Sequence, residues 1–203
     1  MILEAKNIGF KYNNSSYILK NVDFNVSSNE RVGLVAKSGY GKSTFAKILA
    51  GHVMPSWGNV VIDNKEILNK EYYPVQLIYQ HPEETINPRW RMKKALTENG
   101  KINYNLIEIL GIKDIWLDRY PNELSGGELQ RFSIARSITK DTKFIIADEI
   151  TAMLDGITQA QIWNSLIKIC EERNIGMVII THNKALASRV CTRVVNLEEI
   201  NNI

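Results

Sequence analysis

The glycine-rich segment AKSGYGKST at residues 36–44 constrains this chain more than any other feature. A loop with two inner glycines that ends in Lys42 exposes successive backbone N–H groups and one fixed positive charge, and both suit a phosphate chain. The apolar stretch at 31–36 predicts a strand before the loop, and the apolar spacing at 42–50 predicts a helix after it. This order of strand, loop and helix is the context that a phosphate-binding loop needs.

The first position of the usual phosphate-loop pattern is a glycine, and here it is Ala36. The extra methyl group is tolerable if the φ of Ala36 is negative. In this interpretation Lys42 bridges the terminal phosphates and the Ser43 hydroxyl is a ligand of Mg²⁺. The predicted nucleotide-binding residues are Lys37, Ser38, Gly39, Tyr40, Gly41, Lys42, Ser43 and Thr44.

The run FIIADE at 144–149 is a second segment with clear chemistry. Its apolar part predicts a buried strand, and Asp148 and Glu149 follow at the end of that strand. Two carboxylates placed there would lie beside a bound Mg²⁺–nucleotide. Together with the phosphate loop, they predict a nucleotide hydrolase.

Length and composition limit the kinds of protein that this chain can be. A chain of 203 residues with 44% hydrophobic and 23% charged content can bury a full core within one domain. A net charge of +3 is too small to indicate nucleic-acid binding by itself. Cys170 and Cys191 show neither metal-binding nor disulfide-framework spacing. Because the sequence has no leader pattern and no apolar run approaching about 18 residues, we expect a cytosolic chain that meets a membrane only through a partner.

Alternating elements follow along the chain without an internal repeat. Polar and apolar alternation near the start predicts an antiparallel sheet with a turn at 13–16, and the later elements predict a mostly parallel sheet covered on both faces. The turn-rich segment 81–122 predicts a small inserted helical lobe. Strands are predicted at 2–10, 22–26, 31–36, 60–62, 76–79, 144–147 and 177–181, and helices at 42–50, 95–110, 128–139, 159–172 and 184–190.

The segment NELSGGELQRFSIAR at 122–136, called here the signature segment, is the most specific motif. Alone, it could be a loop followed by a helix that Ser125 caps. Because LSGGE and LQR stand between a phosphate loop and an acidic strand end, the segment resembles the signature of the ATP-binding-cassette (ABC) family. The resemblance extends over essentially the entire chain, including Gln80, KFIIADEITAMLD at 143–155, and His182 after a strand.

This resemblance implies an α/β fold of the P-loop NTPase type. Its core would hold a mostly parallel sheet, joined by an N-terminal antiparallel β subdomain and an inserted helical subdomain. The whole chain, 1–203, would be one ABC ATPase domain. Residues 1–80 and 131–203 would form the catalytic core, and 81–130 the helical signature subdomain.

The resemblance also implies roles for single residues. Tyr12 would stack on adenine; the alternative is a core aromatic near a sheet edge. Gln80 would contact Mg²⁺ and the attacking water, and would couple the site to a transport partner. Asp148 would hold Mg²⁺, Glu149 would be the general base, and His182 would hydrogen-bond the γ-phosphate, although a single histidine is more often structural.

Two further groups of residues follow from the same resemblance. Lys42 would join Gln80, Glu149 and His182 as a catalytic residue, and Ser43, Gln80 and Asp148 would be the metal ligands. The signature residues that would complete the nucleotide site of a facing subunit are Leu124, Ser125, Gly126, Gly127 and Glu128.

A narrower resemblance concerns the segment YQHPEETINPR at 79–89. It is similar to importers of the oligopeptide, dipeptide and nickel group, in which an Asn-Pro-Arg run like that at 87–89 recurs. The chain departs from this group at His81, where aspartate is common. After Glu149 it departs from the family, since Ile150 and Ala152 replace the usual proline and serine.

The expected function is therefore that of an ATP-hydrolysing subunit, with ATP and Mg²⁺ as cofactors, that powers import of a peptide, nickel or a metal chelate. Its expected partners are a second ABC ATPase subunit, identical or homologous, transmembrane permease subunits and an extracytoplasmic substrate-binding protein, with no direct nucleic acid. Its expected place is the cytoplasm, at the inner face of the membrane. The alternative is a soluble ABC ATPase that acts on nucleic acid or ribosomes; Glu149 and His182 argue against a non-hydrolysing module.

Overall fold

Two β-sheets form the frame of the molecule, and helices cover the parallel one. The computed structural model describes residues 1–13, 16–67, 73–98 and 100–203. The strands are β1 (Ile2–Phe10), β2 (Leu19–Ser27), β3 (Arg31–Val35), β4 (Trp57–Ile62), β5 (Lys65–Glu66), β6 (Val75–Ile78), β7 (Phe144–Asp148), β8 (Gly176–Ile180) and β9 (Arg193–Asn196). The α-helices are α1 (Lys42–Leu49), α2 (Met92–Thr97), α3 (Tyr104–Ile109), α4 (Gly126–Ser137), α5 (Gly156–Arg173), α6 (Lys184–Val190) and α7 (Leu197–Ile200).

The N-terminal sheet is antiparallel, as the alternating pattern predicts. Its strand order is β2-β1-β4-β5, and Leu3 of β1 lies between Val26 of β2 and Ile62 of β4. The alternate residues of β2 are buried, so one face of this sheet packs on the core. The predicted turn at 13–16 lies partly outside the described residues.

The second sheet is parallel throughout, with strand order β6-β7-β8-β3-β9. Successive residues of β7 enter different cores: Phe144 and Ile146 pack with α1 and the antiparallel sheet, whereas Ile145 and Ala147 pack with α4 and α5. Burial on both faces explains why the first four residues of β7, 144–147, are all apolar. Because the strands are parallel, their carboxyl ends share one edge, and the candidate site lies there.

The chain between β6 and β7 is helical, but the predicted continuous helix at 95–110 is wrong. Two short helices, α2 and α3, occupy this stretch. Gly100 adopts a φ of 120°, a conformation that side-chain-bearing residues rarely adopt, and the Asn103 side chain accepts a hydrogen bond from Leu106 N–H to cap α3. Helix α4 crosses the proposed subdomain boundary at residue 130, and that division stays a prediction.

Among the described residues, no helix has the length and apolar character needed to cross a membrane.

Candidate functional site

The phosphate loop, residues 36–44, leaves the end of β3 and leads into α1. Gly39 and Gly41 have φ values of 84° and 85°, which glycine adopts at little cost. A Cβ on Gly41 would stand 2.7 Å from Ile18, so the start of β2 lies close against the loop. Ala36 does not have a positive φ. The backbone therefore accommodates alanine at the position where the usual pattern has glycine.

The Lys42 ammonium is folded back onto the loop that carries it. Its Nζ donates hydrogen bonds to the carbonyl oxygens of Ala36, at 2.8 Å, and Lys37, at 2.9 Å. Carbonyl oxygens carry only partial charge, so phosphate oxygens would be stronger partners for this cation. The loop thus holds the Lys42 ammonium in a position from which it can move to a bound phosphate.

Asp148 and Ser43 form the point where a metal ion would fit. The Ser43 hydroxyl donates a hydrogen bond to the Asp148 carboxylate. Burial raises the pKa of Asp148; the Ser43 hydrogen bond opposes this, the charge of Glu149 adds to it, and Lys42 and Lys47 oppose it. A hydroxyl and a carboxylate are oxygen ligands of the kind that Mg²⁺ takes alongside nucleotide phosphates.

A metal ion would need those phosphates here. Within the part of the chain that the structure describes, no group of three or more His, Cys, Asp and Glu side chains could hold a metal ion. Mg²⁺ in nucleotide sites is usually bound by one or two protein oxygens, substrate phosphates and water.

Glu149 and His182 meet at the ends of neighbouring strands. His182 Nδ1 lies 3.2 Å from Glu149 Oε1. The backbone of Glu149 has a φ of 49°, an uncommon conformation for a residue with a side chain, and its N–H donates to Ile180 O at 3.0 Å. The chain turns sharply there, and the carboxylate stays at the edge of the sheet.

Gln80 lies at the same edge. Strands β6 and β7 pair as far as Ile78 and Ala147, so Gln80 and Glu149 each stand two residues beyond that pair. Burial, and to a lesser extent the charge of Asp148 at the end of β7, raises the pKa of Tyr79. The Tyr79 hydroxyl also lies 2.7 Å from Nδ1 of His52, after the end of α1.

Tyr12 lies just after β1, and 48% of it is exposed. Its ring makes an edge contact with Phe10 at a centroid distance of 4.7 Å. The side chain is therefore outside the core, which leaves its ring accessible to a ligand.

The signature residues lie apart from the phosphate loop. Ser125 caps α4 reciprocally with Glu128: Glu128 N–H donates to Ser125 Oγ at 3.3 Å, and Ser125 N–H donates to Glu128 Oε2 at 2.9 Å. Ser125, Gly126, Gly127 and Glu128 line a groove of about 400 Å³ together with residues 153–155, and no phosphate-loop residue lines it. The helix cap expected from the sequence is present. Gly126 is exposed, whereas Gly127 is buried, and a Cβ there would stand 2.7 Å from the Thr158 side chain.

Three anchoring residues were not predicted. Gln159 Nε2 and Trp163 Nε1 both donate to the hydroxyl of Thr151, at 2.8 and 3.0 Å, and thereby hold the segment after Glu149. Arg136 of α4 donates to Thr85 O at 2.7 Å and pairs with Glu98 of α2 at 2.5 Å. No local pattern could reveal these contacts, because they join residues from different elements.

The chain is similar to known proteins over most of its length. Residues 19–152 match the family model described as ABC transporter. The nickel import system ATP-binding protein NikE of Staphylococcus aureus (strain bovine RF122 / ET3-1) is 29% identical over 98% of this chain and 87% of its own length.

Solved structures are similar over nearly the whole fold. A dimeric post-hydrolysis structure of the ATP-binding cassette MJ0796 with ADP and Pi has a TM-score of 0.81 and 25% identity, covering 96% of this chain and 93% of that one. The cbiO1 subunit of the cbiONQ transporter complex from Clostridium perfringens has a TM-score of 0.81 and 24% identity, covering 96% and 83%. The similarity to cbiO1 supports the fold assignment alone.

Proposed function

The chain belongs to the ABC transporter family, and we propose on that premise that it is the ATP-hydrolysing subunit of an importer for nickel, a metal chelate or a peptide. The family and the cassette structures indicate ATP hydrolysis. The resemblance of 79–89 to the oligopeptide, dipeptide and nickel importers, together with the similarity to a nickel import protein, supports the choice of cargo class.

One observation carries this proposal: the phosphate loop, the Ser43–Asp148 pair and the Glu149–His182 pair all lie at the carboxyl edge of one parallel sheet. Phosphoryl transfer depends mainly on positioning and electrostatic stabilisation. A cation, an oxygen-rich metal position and a carboxylate base, brought together at that edge, supply those requirements.

In the proposed reaction a water oxygen attacks the γ-phosphorus of ATP, and the bond to the bridging oxygen breaks to release ADP and phosphate. Glu149 accepts the proton of that water, and His182 hydrogen-bonds the γ-phosphate. Lys42 leaves its carbonyl partners and neutralises the terminal phosphates. Ser43, Asp148 and Gln80 would hold Mg²⁺, which supplies charge neutralisation to the phosphate oxygens.

The proposal includes a second subunit. The signature groove lies apart from the phosphate loop of the same chain, so Ser125, Gly126 and Gly127 would complete the nucleotide site of a facing cassette. Donors in this set would act on the γ-phosphate only in the closed dimer, and the isolated chain would then be a slow ATPase. The dimeric state of the MJ0796 cassette supports this arrangement.

The transport partner would dock beside Gln80. The segment after it contains a 3₁₀ helix, Pro82–Glu84, and the exposed residues 87–89, where Arg89 N–H donates to Asn87 Oδ1. A permease bound there would place the chain at the inner face of the membrane, and a substrate-binding protein would deliver the cargo outside.

Titration with a fluorescent ATP analogue, combined with phosphate-release assays with and without co-purified permeases, tests the proposal. Lys42→Ala should lose about tenfold or more in ATP affinity and nearly all hydrolysis. Lys168→Ala, which removes an exposed cation from α5, is the matched control. Unchanged affinity of Lys42→Ala would overturn the site, and stimulation by DNA or ribosomes in place of permeases would overturn the importer assignment.

A further inference from the structure

One peptide group of the phosphate loop is contacted on both of its sides. The carbonyl oxygen of Ala36 accepts a hydrogen bond from Lys42 Nζ at 2.8 Å. The N–H of Lys37, which belongs to the same planar peptide, donates to Glu198 Oε1 at 2.8 Å. Through one rigid unit, the lysine of the loop is therefore connected to α7 near the end of the chain.

The sheet register explains why Glu198 reaches the loop. Strands β3 and β9 pair up to Val35 and Asn196, so the chain leaves both strands side by side. Leu197 is fully buried, and the Asn196 side chain accepts a hydrogen bond from Glu198 N–H at 3.1 Å to cap α7. The carboxylate of Glu198 is thus directed by a buried anchor and a helix cap.

The electrostatics of this contact suit a phosphate site. A bare carboxylate beside a phosphate loop would repel the ligand. Here Lys37 Nζ lies 3.9 Å from Glu198 Oε2, and the Glu198 side chain is 24% exposed. The Lys37 ammonium therefore offsets the negative charge of Glu198 at Oε2, while Oε1 accepts the hydrogen bond from the Lys37 N–H.

We propose that Glu198 is a positioning residue for ATP binding. It holds the peptide that joins Ala36 to Lys37 while Lys42 exchanges loop carbonyls for nucleotide phosphates. Without Glu198, neither of these two contacts would hold the peptide once Lys42 leaves, and part of the binding free energy would go into ordering the start of the loop again. This inference rests on the proposed function, since it assumes that the loop binds ATP.

The decisive comparison is Glu198→Ala against Glu199→Ala. Glu199 is the next residue of α7, is exposed, and accepts from Asn196 Nδ2 at 3.2 Å. We expect Glu198→Ala to raise the Kd of Mg-ATP about 3- to 10-fold with kcat nearly unchanged, and Glu199→Ala to leave both as they are. Glu198→Gln keeps an acceptor and should restore most of the affinity, and it serves as the test if Glu198→Ala does not fold.

A second readout needs no nucleotide. Amide hydrogen exchange at Lys37 should be slow in the parent chain and in Glu199→Ala, and faster in Glu198→Ala, because only that change frees the N–H. If Glu198→Ala binds ATP as tightly as Glu199→Ala, or more tightly, the inference is overturned. The inference is also overturned if Glu198→Ala has no effect in a Lys37→Ala background. In that background the backbone N–H of residue 37 can still donate to Glu198, and only the charge pair is absent. Such a result would assign the effect of Glu198→Ala to the charge pair.

The Lys42→Ala titration separates this inference from the proposed function. If Lys42→Ala binds ATP normally, the proposed function fails. If Lys42→Ala loses ATP while Glu198→Ala behaves like Glu199→Ala, only the positioning role of Glu198 fails.

Discussion

Nδ1 of His182 lies 3.2 Å from Oε1 of Glu149 across the ends of two adjacent parallel strands. The two side chains differ in environment: 21% of the Glu149 side chain is exposed, against 70% of the His182 side chain. The imidazole therefore approaches the carboxylate from the solvent side. A phosphate that enters this edge would meet the histidine on its way to the carboxylate.

Glu149→Gln should separate binding from chemistry. The amide keeps the shape but removes the base, so ATP should still bind while hydrolysis falls by about 10²-fold or more. The variant should accumulate as an ATP-bound dimer, visible by size-exclusion chromatography with Mg-ATP. Glu172→Gln, an exposed change on α5, is the control. A monomer with near-normal turnover would contradict the role of Glu149.

Ser43→Ala should remove much of the advantage that Mg²⁺ gives to ATP binding. The hydroxyl that now bonds Asp148 would be lost as a metal ligand, and we expect about tenfold weaker Mg-ATP binding. Titrations in Mg²⁺ and in EDTA measure this, and Ser43→Thr, which keeps a hydroxyl, should behave like the parent. Equal losses in Mg²⁺ and in EDTA would argue against a metal ligand.

Ser125→Arg should leave ATP binding to the isolated chain intact but abolish hydrolysis in the assembled dimer. In a homodimer formed with Lys42→Ala chains, one site carries both lesions and the other carries none, so mixing should restore part of the phosphate release. Ser125→Asp retains a capping side chain for α4, and separates loss of the cap from loss of the partner contact. A mixture as inactive as its components would contradict the shared site.

Glu84→Lys should weaken the stimulation of ATPase activity by permeases without changing the Kd of ATP. Glu84 is exposed in the 3₁₀ helix after Gln80, where the proposed partner docks. Charge reversal at a docking surface mainly affects association. Glu66→Lys, at an exposed residue of β5, should have no such effect. Equal permease stimulation of both variants would place the docking surface elsewhere.

Glu30→Gln should make the free energy of unfolding depend less on pH in the acidic range. Burial raises the pKa of Glu30, but hydrogen bonds from Arg193 and Ser27 N–H, with the Arg193 charge, outweigh burial and hold that pKa below its ordinary value. A depressed carboxyl pKa contributes stability above the unfolded value of about 4.3, and that stability is lost as pH falls through the folded pKa. The parent should therefore unfold at higher urea than Glu30→Gln at pH 7, and the gap should narrow near pH 3.5. A constant gap would contradict this.

Local sequence patterns were sufficient for much of the fold. The bounds predicted for β1 and α6 agree with Ile2–Phe10 and Lys184–Val190. Strand periodicity, glycine positions and helix caps act over a few residues, so a single sequence exposes them. The helix predicted at 95–110 is wrong because the spacing of apolar residues carries no information on the backbone conformation of Gly100.

The sequence by itself determined the candidate residues of the site, because the phosphate loop, the signature segment and the acidic strand end are contiguous motifs. Their roles stay predictions. Only the tertiary structure decided which groups meet. The His182 ring meets the Glu149 carboxylate, the Arg136 guanidinium meets the Thr85 carbonyl oxygen, and the Glu198 carboxylate meets the Lys37 N–H. The last pair is separated by 161 positions. Such contacts depend on strand order and register, which arise from packing of the whole sheet and leave no local pattern in the chain.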